Sequence, residues 1–230
     1  MAQYFWITGT DTDIGKTLIT TYFMRYFQAK GANVIPYKPV QTGIIIENSR
    51  KYYGDTAFYQ SFSEEPLAAA HLNSYSFKEP ASPHYAARLE GKVIEEEVIL
   101  QHIKQLKSLY DYVFCEGAGG LYVPLNEQRN YHFLDLMKQS ELPVVLVART
   151  TLGTINHTLL SLEALKRNDI PIAGIVFNAF DGTELERDNI ETIRRITDLP
   201  SLVIPKLKNI ADIKSISIES TQFFERLLSI

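Results

Sequence analysis

The chain has 230 residues, of which 45% are hydrophobic and 22% charged, and its formal net charge is −4. This composition predicts one α/β domain with a well-packed core over residues 1–230. An acidic chain without a basic stripe argues against nucleic acid and anionic membranes as partners.

The single cysteine, Cys115, lies in an apolar segment. A disulfide framework and a cysteine-rich metal site are thereby excluded, and we expect a cytoplasmic protein. The first residues lack the basic and apolar regions of a secretory signal, and no apolar run reaches the roughly 18 residues of a membrane span. We therefore expect no membrane segment.

The first predicted elements are a strand at residues 4–7 and a helix at about residues 16–30. Gly15, Lys16 and Thr17 lie at the junction between them, as in a phosphate-binding loop. In such a loop, backbone N–H groups and the helix N-terminus bind phosphates. We expect Lys16 to neutralise the phosphate charge and the Thr17 hydroxyl to bind Mg²⁺.

The glycine spacing of this loop is unusual. Thr10 occupies the position of the first glycine in the common motif, and Gly9 precedes it. An ordinary turn is the alternative interpretation of a Gly-Lys-Thr tripeptide. Because the preceding strand and the following helix both agree with a phosphate-binding loop, we predict nucleotide binding.

Two candidate polar side chains follow a second predicted strand at residues 34–37. They are Lys38 and Thr42. Ligands of open α/β sheets bind at the carboxyl ends of the strands, so we expect both residues to face the phosphates. A solvated surface lysine is the ordinary alternative for Lys38. Farther along, a polar, tyrosine-rich region (residues 47–54) precedes Asp55, which begins a predicted helix and could simply cap it.

The middle of the chain contains a predicted insertion and a carboxylate at a strand end. Residues 66–91 are expected to be irregular and to shape a substrate pocket, and His84 within them is more typical of a structural histidine than of a catalyst. A helix at residues 94–109 precedes a buried strand at residues 112–115. Glu116 and a glycine-rich turn follow this strand, which is where nucleotide-hydrolysing folds place a metal-directed acid.

Three more strands, each followed by a helical segment, complete the chain. The strands are predicted at residues 144–148, 172–177 and 202–204, and the helices at about residues 155–167, 184–196 and 218–230. Apolar strands that alternate with amphipathic helices predict a mostly parallel sheet with helices on both faces. With the phosphate-binding loop, this is a single-domain, P-loop NTPase-like α/β fold.

In this order, the segments resemble the dethiobiotin synthetase family, whose members use ATP to close the ureido ring in biotin synthesis. The resemblance covers almost the whole chain. It rests on residues 9–17, whose long spacing is that family's form of the loop, and on residues 38–43, 82–84, 116–120 and 152–157.

The resemblance implies a role for each matching position. Lys38 and Lys16 would be catalytic, and Thr17, Asp55 and Glu116 would hold Mg²⁺. The implied ATP-binding residues are Asp13, Ile14, Gly15, Lys16, Thr17, Leu18, Asp55, Glu116, Gly117, Ala118, Gly119, Asn178, Ala179, Pro205, Lys206 and Leu207. The implied substrate-binding residues are Thr12, Lys38, Thr42, Gly153 and Asn156.

Two positions depart from the family pattern. Thr42 stands where a serine is common, which preserves the hydroxyl. Leu202 and Val203 stand where a glycine-acid pair often precedes the adenine turn, which leaves the preference for ATP over other nucleotides open.

The implied reaction converts 7,8-diaminononanoate, CO₂ and ATP into dethiobiotin, ADP and phosphate through a carbamate and a carbamic-phosphoric anhydride. The resemblance also implies a homodimer with the active site at the interface. There, residues 153–156 of the partner subunit would receive the substrate carboxylate.

Two other functions remain open on sequence grounds. ParA/MinD-like dimeric switch ATPases share this type of loop, but they usually carry a second lysine early in it, where this chain has Asp11 and Asp13. An amidotransferase-type cofactor ligase would normally bring a glutaminase domain with a nucleophilic cysteine, whereas Cys115 lies in a predicted strand. Dependence of ATP turnover on a small diamine, rather than on a protein, lipid or DNA, would separate these functions.

Overall fold

The structure is a computed structural model, and it describes residues 3–216 and 221–228. The strands are β1 (Gln3–Gly9), β2 (Val34–Tyr37), β3 (Val40–Thr42), β4 (Ile44–Glu47), β5 (Arg50–Tyr53), β6 (Tyr75–Phe77), β7 (Tyr112–Glu116), β8 (Pro124–Asn126), β9 (Tyr131–His132), β10 (Val144–Ala148), β11 (Ile172–Phe180) and β12 (Ser201–Pro205). The helices are α1 (Lys16–Gln28), α2 (Gly54–Phe62), α3 (Pro83–Leu89), α4 (Glu96–Leu109), α5 (Phe133–Ser140), α6 (Thr154–Arg167), α7 (Glu184–Thr197) and α8 (Thr221–Leu227).

The centre of the fold is a six-stranded sheet in the order β12-β11-β10-β1-β7-β2. All of its neighbouring strands pair in parallel. Because β7 lies between β1 and β2, the segments that follow these three strands emerge side by side at one edge of the sheet. The phosphate-binding loop, Lys38 and Glu116 are thus brought to the same edge.

Helices cover both faces of this sheet, as alternate side chains of β1 demonstrate. Phe5 and Ile7 pack in a cluster with α1 and α8, whereas Trp6 packs in the cluster that contains α4 and α5. Trp6 also donates a hydrogen bond from Nε1 to Ser140 Oγ over 2.7 Å. The predicted parallel sheet with helices on both faces is confirmed.

The predicted strands and helices of the central sheet are confirmed, with bounds shifted by a few residues. The prediction that residues 66–91 are irregular was wrong in part, because β6 pairs with β3, and α3 begins with Pro83 after Ser82 at its N-cap. Proline suits the first turn of a helix since its missing N–H has no partner there. The tyrosine-rich region belongs largely to the antiparallel β4–β5 hairpin.

The predicted C-terminal helix is confirmed only where the structure describes it. Thr221–Leu227 is helical, whereas residues 218–220 and 229–230 lie outside the described residues. Phe224 of α8 stacks on Tyr26 of α1, with ring centroids 3.7 Å apart, and so joins this helix to the core. Within the described ranges, none of the helices has the length and apolarity needed to cross a membrane.

Candidate functional site

A cavity of about 800 Å³ opens at the carboxyl edge of the central sheet. Its walls are the β1–α1 loop, the segments after β2 and β7, and the starts of α2 and α3. It is lined by Thr12, Asp13, Gly15, Lys16, Thr17, Lys38, Val40, Thr42, Asp55, Pro80, Ala81, Ser82, Pro83, Glu116, Ala118, Gly119 and Val123. This is the ligand-binding edge expected of a parallel α/β sheet.

The β1–α1 loop is shaped by Gly15 at its end. Gly15 has φ 90°, a left-handed conformation that favours glycine, and a Cβ there would lie 2.0 Å from Asn178 Nδ2. The same amide donates to the Ile14 carbonyl over 2.8 Å. Since Gly15 is the N-cap of α1 and has no side chain, the first N–H groups of that helix stay available to an anion.

Lys16 is the first residue of α1, directly after this loop, and it is almost completely buried. Its ammonium donates to the Asp11 carbonyl over 2.7 Å, and the Arg149 guanidinium donates to the Thr12 carbonyl over 3.0 Å. Burial lowers the pKa of Lys16 to about 8, and the positive charge of Lys38 acts in the same direction. Backbone carbonyls of the loop therefore fix the positions of two cationic side chains, those of Lys16 and Arg149.

The base of the cavity is a cluster of one lysine, two carboxylates and a hydroxyl. Lys38 Nζ lies 2.6 Å from Glu116 Oε1 and 2.8 Å from Asp55 Oδ2, and it also donates to the Gly117 carbonyl over 3.2 Å. Thr17 Oγ1 lies 2.9 Å from Asp55 Oδ1 and 2.8 Å from Glu116 Oε1. Segments far apart in sequence thus meet at a single point.

Each member of the cluster reaches it from the end of a secondary-structure element. Lys38 directly follows β2, and its backbone N–H is fixed by the Leu72 carbonyl at 2.7 Å. Glu116 ends β7, and Asp55 lies in the first turn of α2. Tyr53 is the N-cap of α2, and the Asp55 side chain bonds to Thr17 and Lys38 instead of capping the helix.

The charges of this cluster stabilise one another. Lys38 is 5% exposed and Glu116 is 0% exposed. Burial opposes the charged form of Lys38, but Glu116 and Asp55 outweigh it and raise the pKa of Lys38 above its usual value. Burial likewise opposes ionisation of Asp55, yet the Lys38 ammonium holds the pKa of Asp55 below its usual value. The carboxylates therefore favour the charged form of Lys38, whereas burial disfavours the charged form of Lys16.

The second carboxylate oxygen of Glu116 has a partner of its own. The phenol of Tyr59, which is fully buried on α2, donates to Glu116 Oε2. Burial raises the pKa of Tyr59 well above its usual value, and the charge of Glu116 acts in the same direction, so the phenol stays protonated and remains a donor. Glu116 is thus held from both sides.

The oxygen atoms in the cluster suit a hard divalent cation. Thr17 offers a hydroxyl, and Asp55 and Glu116 offer carboxylates, which together are the donor set that Mg²⁺ prefers alongside water and phosphate. The donor chemistry therefore fits the three residues to which the family resemblance assigns Mg²⁺.

Most of the predicted site residues line the cavity. Ile14, Leu18 and Gly117 are next to lining residues in the chain but do not line it themselves, and two further groups lie outside it. Asn178 contacts the phosphate-binding loop from β11, and Ala179 beside it has φ 60°. Pro205 ends β12, and Lys206 after it pairs with Asp181 at 2.8 Å. These residues lie on, or directly after, the two strands beyond β10.

The second group outside the cavity lies at the start of α6. Gly153 is its N-cap and Asn156 lies in its first turn, and both are exposed. His84 also does not line the cavity, and its Nε2 lies 3.1 Å from Glu127 Oε1. That contact agrees with a structural role for His84.

Sequence reasoning missed several residues that shape the site. Val40 and Val123 line the cavity, while Tyr59 and Arg149 contact residues that do. Tyr59 could have been found, because it lies one helical turn after Asp55 and so shares a face of α2 with it. No sequence signal pointed to Arg149, whose contact with the loop depends on the pairing of β10 with β1.

Known proteins place the chain in a family. The family described as AAA domain matches residues 3–214. The chain is 53% identical over 225 residues to a protein of Lysinibacillus sphaericus (strain C3-41) named ATP-dependent dethiobiotin synthetase BioD, covering 98% of this chain and 96% of the relative. It is 43% identical over 200 residues to the protein of that name from Halalkalibacterium halodurans, covering 86% and 82%.

A solved structure shares the fold at much lower identity. The septum site-determining protein MinD of Pyrococcus horikoshii OT3, complexed with Mg-ADP, aligns with a TM-score of 0.62 and 14% identity over 100% of this chain and 96% of MinD. Such an identity shows the P-loop NTPase fold alone. The extent of the two alignments with dethiobiotin synthetases decides the family, and we conclude that the chain belongs to the ATP-dependent dethiobiotin synthetases, which are ligases of biotin biosynthesis.

Proposed function

We propose that the chain catalyses the ATP-dependent ring closure of 7,8-diaminononanoate with CO₂ to give dethiobiotin, ADP and phosphate. The observation that carries the proposal is the convergence of Lys38, Asp55, Glu116 and Thr17 beside the phosphate-binding loop. This arrangement suits a reaction in which several anions are gathered and aligned. The names of the relatives supply the product, dethiobiotin, and the dependence on ATP.

The reaction proceeds in three steps. One amine of the substrate attacks CO₂, which forms an N–C bond and, after loss of a proton, a carbamate. A carbamate oxygen then attacks the γ-phosphorus of ATP, and ADP leaves. The second amine attacks the carbonyl carbon of the mixed anhydride, phosphate leaves with the bonding electrons, and the attacking nitrogen loses a proton as the ring closes.

The chain contributes chiefly electrostatics and alignment to these steps. Lys16 and the first N–H groups of α1 bind the phosphates, and Lys38 holds the carbamate next to the transferred phosphoryl group. When bound by Thr17, Asp55 and Glu116, Mg²⁺ supplies further positive charge at the phosphate oxygens. Because Glu116 and Asp55 raise the pKa of Lys38, its ammonium form is favoured, which suits the stabilisation of anions rather than the work of a base.

The remaining predicted residues divide between the substrate and the nucleotide. Thr12 and Thr42 line the cavity and are proposed to contact the diamine. We assign the adenine to the side of β11 and β12, with Asn178, Ala179 and the turn of Pro205, Lys206 and Leu207. Asn178 already touches the phosphate-binding loop, which supports a continuous path from phosphates to base.

A homodimer is also proposed, with the exposed face of α6 in its interface. Gly153, Asn156, Leu160, Glu163 and Arg167 recur at intervals of three or four residues and so share one face of this helix. The last three of them line a groove of about 540 Å³. A partner covering this face would bury Leu160, which is 60% exposed, and its own α6 N-terminus would face the substrate carboxylate.

The other functions considered from sequence receive less support. The likeness to MinD is a likeness of fold, and function depends on the site grafted onto it. Cys115 is fully buried in β7 and burial raises the pKa of its thiol, so a glutaminase nucleophile at this position is unsupported. A cytoplasmic location stays a prediction from the cysteine content.

The test is phosphate release from Mg·ATP by the purified protein, with and without 7,8-diaminononanoate and bicarbonate, repeated with Lys38→Ala. We expect release to require both additions and to fall by roughly 10²–10³ in the variant. Lys38→Arg should not restore it, since a planar guanidinium does not reproduce a compact ammonium. Turnover that ignores the diamine would contradict the proposed function.

A further inference from the structure

The two oxygens of Glu116 have different surroundings. Oε1 lies within 2.8 Å of both Lys38 Nζ and Thr17 Oγ1, on the side of the cavity. Oε2 accepts a hydrogen bond from the phenol of Tyr59 on the opposite side. Since Glu116 is completely buried, these partners and not solvent determine how its carboxylate is turned.

Tyr59 could be interpreted as a residue of the hydrophobic core. Its ring is fully buried in the same cluster as Trp6, Tyr37 and Tyr131. A phenylalanine would fill that space as well, however, and a buried phenol needs a hydrogen-bond partner. Tyr37 finds its partner in the Ser74 hydroxyl and Tyr131 in the Gln139 side chain, whereas Tyr59 donates to an acid at the base of the cavity.

Helix α2 presents Tyr59 and Asp55 from the same face. They are four residues apart on the helix. Asp55 contacts Lys38 and Thr17, and Tyr59 contacts Glu116. Their positions are therefore coupled. A hydrogen bond to an ionised acceptor is also stronger than one between neutral groups, so the phenol restrains Glu116 firmly.

We propose that Tyr59 is a positioning residue of the cation site: by holding Oε2 of Glu116 away from the cavity, it leaves this carboxylate to present Oε1, the oxygen that Thr17 and Lys38 contact there, to the metal. The inference rests on the proposed role of Glu116 as a Mg²⁺ ligand. One-oxygen binding suits the strict octahedral geometry of Mg²⁺, while Ca²⁺ also accepts carboxylates through both oxygens. Tyr59 thus contributes to selectivity for the smaller ion.

The experiment compares Tyr59→Phe with Tyr131→Phe. Both changes remove one phenol oxygen from the same hydrophobic cluster, but only the first removes a bond to Glu116. The affinities of each folded variant for Mg²⁺ and for Ca²⁺ are measured by calorimetry, in the presence of a non-hydrolysable ATP analogue.

For Tyr59→Phe, we expect the affinity for Mg²⁺ to fall about 10-fold, as is typical when the group that orients a metal ligand is removed. The affinity for Ca²⁺ should fall less, so that the ratio of Mg²⁺ to Ca²⁺ affinity decreases. Tyr131→Phe should leave both affinities unchanged. An unchanged ratio in folded Tyr59→Phe would overturn the inference.

A double-mutant cycle tests whether Tyr59 acts through Glu116. In a Glu116→Gln background, removing the phenol should cause no further loss of affinity for Mg²⁺. A loss as large as that in the parent would mean that Tyr59 acts through general packing, which contradicts a positioning role.

A spectroscopic measurement on the unmodified protein covers the case in which Tyr59→Phe does not fold. The infrared difference spectrum on addition of Mg²⁺ should report carboxylates bound through one oxygen, and a spectrum dominated by two-oxygen binding would refute the inference. None of these readouts needs the diamine. A failure of diamine-dependent turnover would therefore leave the metal-binding results valid. A failure of the metal-binding test would likewise leave the proposed reaction untouched.

Discussion

Lys38 is the residue on which the charge balance of the site depends. It lies between Asp55 and Glu116, and Glu116 has no access to solvent. Removing one partner of a buried ion pair is costly because the other charge is left uncompensated. A change at Lys38 should therefore affect folding as well as catalysis.

The first prediction is that Lys38→Met lowers the free energy of unfolding by about 3–5 kcal/mol in metal-free buffer. Urea denaturation measures this loss, and added Mg²⁺ should recover part of it by supplying positive charge. Lys206→Met is the matched control, because Lys206 pairs with Asp181 at the exposed surface, where an ion pair contributes little to stability. Equal losses of unfolding free energy in the two variants would contradict the idea that Lys38 balances the buried charge of Glu116.

The second prediction concerns the protonation of Lys16. Its folded pKa of about 8 lies below the ordinary value of 10.5, so between these pH values the unfolded chain binds more protons. This group therefore makes the free energy of unfolding rise with pH in that window, and its unfavourable contribution is complete only below about pH 8.

Bound phosphates should reverse this shift, since they favour the charged amine. We expect ATP binding at about pH 9 to take up a fraction of a proton per site, as seen by calorimetry in buffers of different ionisation enthalpy. Lys16→Arg should abolish the uptake, because a guanidinium is already protonated. Uptake that persists in Lys16→Arg would assign the proton to another group.

At the scale of elements, the β1–α1 loop requires glycine at a single position. Our third prediction is that Gly15→Ala abolishes ATP binding, because it adds a Cβ against Asn178 to the strain of a positive φ. Gly31→Ala is the control: Gly31 has φ 79° but open space around it, so only the conformational cost of about 1–2 kcal/mol applies. Calorimetric ATP binding that survives in Gly15→Ala would contradict the role of this loop.

The strands of the central sheet were predictable because each is a continuous apolar run, and the helices that pack on it were predictable because each has one apolar face. The smaller sheets were not. Strands β3 and β6 have only three residues each, and a hairpin and a helix separate them in the chain. They pair through contacts such as that of Val40 with Tyr75. Such short strands form only because they pair with each other, and a local sequence pattern contains no information about a distant partner.

At the scale of the whole molecule, the central question is whether the site needs a second copy of the chain. The fourth prediction is that the protein is a dimer in solution and that Leu160→Asp makes it monomeric, because a buried, unpaired charge opposes association. Light scattering measures the mass. The monomer should lose diamine-dependent turnover but retain ATP binding.

Val98→Asp is the control for this change, since Val98 is an exposed apolar residue on α4, outside the groove. It should leave the mass unchanged. A parent protein that is monomeric and fully active would rule out the proposed interface. That residues 1–230 form one domain stays a prediction.

The sequence alone determined the phosphate-binding loop and the positions of Lys38, Asp55 and Glu116 at the ends of elements, because these features depend on neighbours in the chain. The tertiary structure decided that the three side chains meet, since this requires β7 to lie between β1 and β2. It also decided that Tyr59 binds one oxygen of Glu116 while Lys38 binds the other. Strand order and helix packing bring distant residues together, and they arise from burial of the whole core rather than from any local pattern.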